Sequence, residues 1–364
     1  MRFLCKDCWI AHEPATLLAR CKQCEANTQI DRRDPLQSKA ASVSSTPLVC
    51  RIHPSEPLDI YCGTCEKPVP PRTVVGERSI VALLGDTASG KTSFLWVLSE
   101  RLRQPNGAGG VYIRQALGNS DEQMMSAVRG IFEDGRMRAT PSTDADVRNY
   151  AWELANGAHA TTVIAFHDAA GEVWNGLGDL SRREYARFYR YLDLTGSVLF
   201  AIDGARVIEA LDVETRRGVA SPQLRAAQLH EIAIIDTVSR RMRARGERIP
   251  AAVVITKADV FWDRPEWKLF QPGSGATEEA LANATRELLM KAGRHSLVSA
   301  IEEVFAPVRY FTVSAFGHAP QVPLKSIRDA SVVNEETLRL DQLRQRTSVL
   351  FRGRGRCATV MSLV

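Results

Sequence analysis

The sequence predicts an α/β fold, a three-layer sandwich with helices on both faces of a mostly parallel sheet, preceded by a small metal-binding module. Three observations carry that expectation. Apolar runs of strand length alternate with helical patterns from Ser79 onward, one of those runs meets a helix through a glycine-rich loop, and seven of the eight cysteines stand in the first 65 residues. The alternation runs TTVIAFHD, LSRREYARFYRYLD, SVLFAID, a long amphipathic stretch, AAVVITKAD, VSAIEEVF and VRYFTVSA. Such alternation implies βαβ units and hence parallel strands, whose ligands sit beyond the carboxyl ends.

The first strand, within SIVALL, leads into Gly85-Asp86-Thr87-Ala88-Ser89-Gly90-Lys91-Thr92-Ser93 and then into SFLWVLSERL, which has apolar residues at helical spacing. This is G-x-x-x-x-G-K-[ST] between a strand and a helix, the pattern of a phosphate-binding loop. Glycines let backbone N–H groups converge on a phosphate, Lys91 reaches the β/γ oxygens, and the Thr92 hydroxyl can complete a Mg2+ shell. A nucleoside triphosphate is the expected ligand and the fold is that of the P-loop NTPases.

Further strand ends add to the same edge. His167-Asp168-Ala169-Ala170-Gly171-Glu172 puts an acid where it can hold Mg2+ through water and a glycine amide where it can face a γ-phosphate. Thr256-Lys257-Ala258-Asp259 offers a carboxylate able to accept the N1–H and 2-amino hydrogen bonds of guanine, and Ser314-Ala315 can bring a backbone N–H to the guanine oxygen. In that order, GDTASGKT, DAAG, TKAD and SA resemble the translation-factor-related and Ras-like class of GTPases, over roughly Arg78 to Phe316, and most nearly its bacterial stand-alone domains. The resemblance implies GTP and GDP as ligands with Mg2+ on Thr92 and Asp168. It makes Asp168 and Gly171 the second switch and Lys257 and Asp259 the guanine clamp. Thr256 stands where that class commonly has asparagine, which should weaken one loop-to-loop hydrogen bond. Glu172 stands where it commonly has the water-orienting glutamine, which points to slow hydrolysis or, alternatively, to a nucleotide-bound adaptor that does not hydrolyse. Lys91, Gly171, Glu172 and a first-switch threonine, Thr143 ahead of Thr140, are the expected catalytic set. An ATP-dependent enzyme would share the loop but leave TKAD unexplained.

The cysteines fall as Cys5-x2-Cys8, Cys21-x2-Cys24, Cys50-x2-His53 and Cys62-x2-Cys65. With no export signal before Cys5 a reducing cytoplasmic setting is expected, in which such pairs hold zinc rather than form disulfides. Consecutive pairing is the expectation: Cys5, Cys8, Cys21 and Cys24 on one structural zinc, in a segment resembling zinc ribbons, and Cys50, His53, Cys62 and Cys65 on a second, resembling the opening of a B-box finger. RING-type cross-bracing is the rival, disfavoured because the stretch from Glu25 through Val49 is long. The expected organisation is a ribbon over 1–30, a linker over 31–49 rich in serine and charge, a second zinc site over 50–70 and a GTPase domain over 74–320. An inserted loop and helix over 104–135 and a C-terminal helix and tail over 321–364 complete it.

At 364 residues and a formal charge of +5 the chain has room for a domain and an appendage, and its charge selects no nucleic-acid or membrane partner. No apolar run is long enough to span a bilayer. The zinc module is expected to recruit a protein partner. Arg240, Arg241, Arg243, Arg245 and Arg248 read as a solvated helix end, Arg182 and Arg183 as a remote prospect for an arginine finger, and Trp174, Trp262 and Trp267 as packing residues or a partner surface rather than base-stacking ones.

Overall fold

A computed structural model describes residues 3–5, 11–12, 17–24, 34–35, 50, 52–56, 58–69, 77–86, 89–103, 111–117, 148–156, 162–168, 192–193, 195–216, 218–261, 264–270 and 274–314. Among the described residues the N-terminal module carries six short strands: β1 (Phe3–Leu4), β2 (Ala11–His12), β3 (Leu18–Arg20), β4 (Asp34–Pro35), β5 (Asp59–Tyr61) and β6 (Pro68–Val69). β1 and β2 form an antiparallel pair, and the other four form a sheet in the order β4-β3-β5-β6. One part of the expected linker is therefore structured, since Asp34–Pro35 pairs antiparallel with β3.

Seven more strands build the larger part of the chain: β7 (Glu77–Leu84), β8 (Val111–Leu117), β9 (Arg148–Asn156), β10 (Thr162–Asp168), β11 (Ser197–Asp203), β12 (Ala251–Thr256) and β13 (Val308–Thr312). They make one sheet in the order β13-β12-β11-β7-β10-β9-β8. The five from β13 to β10 are mutually parallel, while β9 runs antiparallel to both of its neighbours. The expected hairpin of VRNYAWELANG into TTVIAFHD is thus β9 and β10. The start of the expected insertion differs from a covering loop: Val111–Leu117 is an edge strand on β9, and its β-branched and aromatic lead, VYI, suits that edge.

Helices α1 (Lys91–Arg103), α2 (Gly204–Arg216), α3 (Pro222–Arg245), α4 (Glu278–Lys291) and α5 (His295–Val304) connect these strands. Every residue of β11 and β12 is buried. That requires cover on both faces, which is why these strands are continuous apolar runs rather than alternating ones. Alternate residues do sort to two cores. Leu84, Phe200, Ile202, Val253 and Ile255 pack with α2 to α5, whereas Val81, Leu83, Leu199, Ala201 and Val254 pack with α1 and the β9–β10 hairpin. This is the three-layer sandwich.

Local chemistry sets the helix ends. Ser221 Oγ accepts from Leu224 N–H at 3.1 Å with Pro222 opening α3, and Thr277 Oγ1 accepts from Ala280 N–H at 3.2 Å to start α4. The arginine cluster is not a merely solvated face. Arg241 pairs with Asp193, Arg243 with Glu303 at 2.8 Å, Arg245 donates to the Thr195 carbonyl at 2.7 Å, and Arg248 donates to the Glu302 and Phe305 carbonyls at 2.8 and 3.1 Å. These side chains brace the end of α3 against the approach to β11 and against α5. Trp267 packs with Phe261 and Phe270 at ring separations of 6.4 and 6.0 Å, the packing role expected of it.

Candidate functional site

The parallel strands end level with one another, Asp168 beside Leu83 and Asp203 beside Thr256, so their outgoing loops share one edge. From β7 the chain leaves the sheet at Gly85 with φ of 147°. A Cβ there would lie 2.4 Å from the Ala201 carbonyl oxygen, so only glycine lets the loop pass this close to β11. Lys91 opens α1 and folds back over the loop, its Nζ donating to the Gly85 carbonyl at 2.8 Å and the Asp86 carbonyl at 2.9 Å, with Ser89 Oγ at 3.4 Å. A buried ammonium thus ties the start of the loop to the first turn of α1. Ser93 is buried, Thr92 is half-buried on the first turn of α1, and Thr87 and Ala88 lie outside the described residues.

The TKAD segment meets this loop directly. Thr256 Oγ1 lies 2.6 Å from the Ser89 carbonyl and 3.1 Å from that of Ile202, so the loop-to-loop hydrogen bond expected to weaken with threonine is present and short. Lys257 takes a left-handed backbone, φ 52°, which brings its stem to within 3.9 Å of where a Gly90 Cβ would stand and its Nζ to Asp203 Oδ2 at 2.8 Å. Gly204 is as constrained as Gly85, since a Cβ would meet the Thr256 carbonyl oxygen at 2.4 Å. Asp259 is buried and its Oδ1 accepts from Ser314 Oγ at 2.5 Å, while Ala258 N–H donates to the Val313 carbonyl at 3.0 Å. The two segments expected to read a base are therefore held side by side.

Three participants escaped the sequence reading. Asp203 ends β11 as Asp168 ends β10, and that shared pattern was the available signal. Arg206 and His230 carried none: they lie on α2 and α3, and both bond the carboxylate of Asp86 in the loop. Asp168 closes β10 at the site edge, whereas Gly171, Glu172, Thr143, Ala315 and Arg182–Arg183 lie outside the described residues.

In the N-terminal module the ligand-type side chains gather in two groups: Cys21, Cys24, Cys50 and His53 in one, and Cys5, Cys62 and Cys65 in the other, Cys8 lying outside the described residues. This overturns consecutive pairing, and it is not RING cross-bracing either, because the second and third pairs share one site and the first and fourth share the other. The reason is the antiparallel pairing of β3 with β5, Ala19 opposite Ile60. The segment leaving β3 then meets the segment entering β5, and the segment leaving β5 meets the one entering β3. Bonds of Gln23 to Glu56 at 2.9 Å and Lys22 to Asp59 at 3.4 Å fix the same register.

The spacing within the first group suits a tetrahedral ion. Zinc bonds of about 2.3 Å to sulfur and about 2.05 Å to nitrogen require S···S edges of about 3.8 Å and S···N edges of about 3.5 Å. Cys24 and Cys50 Sγ stand 3.6 Å apart, and His53 Nδ1 lies 3.5, 3.5 and 3.9 Å from the sulfurs of Cys21, Cys24 and Cys50. In the second group Cys5 and Cys65 Sγ are 3.5 Å apart. Desolvation and the neighbouring thiols push Cys24 up to about 11. Cys50, despite its own desolvation, is brought down to about 6 by the backbone N–H groups of His53 and Ile52. The Cys50 thiolate is thus ready at neutral pH, whereas that of Cys24 needs a cation to form.

Comparison with known proteins gives one family: residues 79–322 match the model of Double-GTPase 2. No curated protein matches the sequence. Among solved structures the chain is similar to one from the signal recognition particle receptor SRb-GTP/SRX complex of Chaetomium thermophilum, at 12% identity and a TM-score of 0.33, over 66% of this chain and 95% of that one.

Proposed function

Because the chain belongs to the Double-GTPase 2 family, we propose that it is a GTP-binding molecular switch with slow Mg2+-dependent hydrolysis, whose N-terminal module holds two structural zinc ions and recruits a protein partner. The observation that carries the reading is the joining of the phosphate loop to the base-reading segment: Thr256 bonds Ser89, and Asp259 is held ready by Ser314.

The roles proposed for the residues are these. Lys91, folded back over the loop carbonyls, would reach the β/γ oxygens of a bound triphosphate. The loop from Gly85 to Ser93 cradles phosphate, and Thr92 and Asp168 would hold Mg2+, which supplies charge neutralisation at the transferring group. Asp259 accepts from guanine, where adenine would present an acceptor to a buried carboxylate. Lys257 covers the loop, and Thr256, Ser314 and Ala315 set the base pocket. Glu172 and Gly171 would position water, and Thr143 would close the first switch. In the module, Cys21, Cys24, Cys50 and His53 would hold one zinc, and Cys5, Cys8, Cys62 and Cys65 the other. Both sets are complete with protein ligands, which is the mark of a structural rather than a catalytic zinc.

Titration calorimetry of zinc-replete, nucleotide-free protein with GTP, GDP and ATP, followed by phosphate release over hours, tests this. Guanine-selective binding that Lys91→Ala abolishes, with slow release, is the expected result. Selective binding with no release would favour a non-hydrolysing adaptor, the reading suggested by Glu172. ATP preference would overturn both. Among the described residues no helix is long and apolar enough to cross a membrane, and a cytoplasmic location is part of the proposal.

A further inference from the structure

A phosphate loop works by collecting positive potential, yet this one carries a carboxylate at its second position. Asp86 is buried between the loop and two helices, so its charge is not dissipated by water. Two side chains from different elements close on it: Arg206 Nη1, from the first turn of α2, donates to Oδ2, and His230 Nδ1, from the middle of α3, donates to Oδ1. His230 Nδ1 gives its hydrogen to the carboxylate, while Nε2 is buried with no hydrogen-bond partner among the described residues. An imidazole kept with one nitrogen bare, in order to give the other to a carboxylate, is placed for that carboxylate.

We propose that Arg206 and His230 are positioning residues that turn the Asp86 carboxylate away from the phosphate loop and neutralise it, so that the loop attracts a triphosphate instead of repelling it. The inference rests on the nucleotide-binding reading of the loop.

The surroundings agree with the assignment. The Asp86 carbonyl accepts from Lys91 Nζ at 2.9 Å and from Ser89 N–H at 3.2 Å, so the backbone of this residue belongs to the phosphate cradle while its side chain points to the helices. The guanidinium of Arg206 feels Asp86 first and Asp203 and Glu231 beyond it, and although burial opposes its charge, these acids hold it more firmly protonated than usual. Glu231, next to His230, is itself paired with the buried Arg294 at 3.0 Å and so makes no second demand on His230. Arg206 therefore sets its cation against the Asp86 anion beside the phosphate loop, where an unbalanced carboxylate would repel a bound phosphate.

The test separates electrostatic positioning from mere support. GTP carries more negative charge than GDP, so removing the balancing cation must weaken GTP more than GDP. A structural defect would weaken both alike. Titration calorimetry of Arg206→Ala is expected to show GTP binding about tenfold weaker and GDP about threefold weaker. The double variant Asp86→Asn/Arg206→Ala, which removes the anion as well, should recover most of the loss. Equal loss for the two nucleotides, no loss, or failure of the double variant to recover GTP binding would each overturn the proposal. Should Arg206→Ala not fold, as judged by thermal melting, Arg206→Gln carries the same comparison. Equal binding of GTP by the wild type and Lys91→Ala would instead overturn the phosphate-loop reading, and this inference with it.

Discussion

Replacing Thr256 by valine removes one hydroxyl and almost no volume, and the structure makes its cost calculable. Thr256 is 3% exposed, and its Oγ1 sits 2.6 Å from the Ser89 carbonyl oxygen. Two terms act together. The carbonyl loses its donor in a place water does not reach, which costs about 1–3 kcal/mol. The methyl that takes the hydroxyl's place must also move outward, because a carbon–oxygen contact needs about 3.3 Å or more. Together these place Thr256→Val near about 2–3 kcal/mol, or about 4–12 °C of melting temperature for a domain of this size. Thr256→Ser keeps the hydroxyl and loses only the methyl, about 1 kcal/mol. Thermal and urea melts of the two variants, with GTP titrations of each, provide the assay. Valine less stable than serine is expected, with weaker GTP binding accompanying it. If serine were the less stable, packing and not the hydrogen bond would join the two loops.

The remaining predictions test other links. Cys21→Ser/Cys50→Ser should lose one of the two zinc ions and Cys21→Ser/Cys62→Ser both, measured as metal per chain; loss of both by the first pair would restore consecutive pairing. Asp259→Asn should shift preference from GTP to xanthosine triphosphate by up to about 10⁴-fold in competition binding, and unchanged selectivity would remove Asp259 from the base pocket. Arg294→Ala strands the buried Glu231 carboxylate and should cost about 3–5 kcal/mol by urea unfolding, a loss below about 1 kcal/mol showing that Glu231 does not depend on this partner.

Strand runs and the loop between them were legible because their signals are local. SIVALL, SVLFAID and AAVVIT are unbroken apolar runs, and a strand buried on both faces has no other way to be written. The order of Gly85–Thr92, TKAD and Ser314 at strand ends then placed them on one edge, since parallel strands all point the same way. The grouping of the candidate metal ligands was legible only in part. Spacing names the ligands, but which pair meets which depends on the register of β3 against β5, set by three-residue strands too short to announce themselves. Arg206 and His230 were out of reach for a similar reason. An arginine one turn into a helix and a histidine inside another look like surface and core residues until Asp86, 120 and 144 positions away, is laid between them.

The nested arrangement of the cysteine pairs also biases the order in which the two groups would close. The inner group closes a loop of 26 residues between Cys24 and Cys50, and the outer one spans 60 residues between Cys5 and Cys65. Loop entropy alone favours the inner closure by about 0.7 kcal/mol, and once made it shortens the path that the outer closure must cross. A chain emerging in order presents all four inner ligands before Cys62 and Cys65 exist. If zinc fills both groups, the outer one acts as a latch: Cys5 and Cys65 stand at the two ends of the module, and joining them fastens the pairing of β3 with β5 from outside.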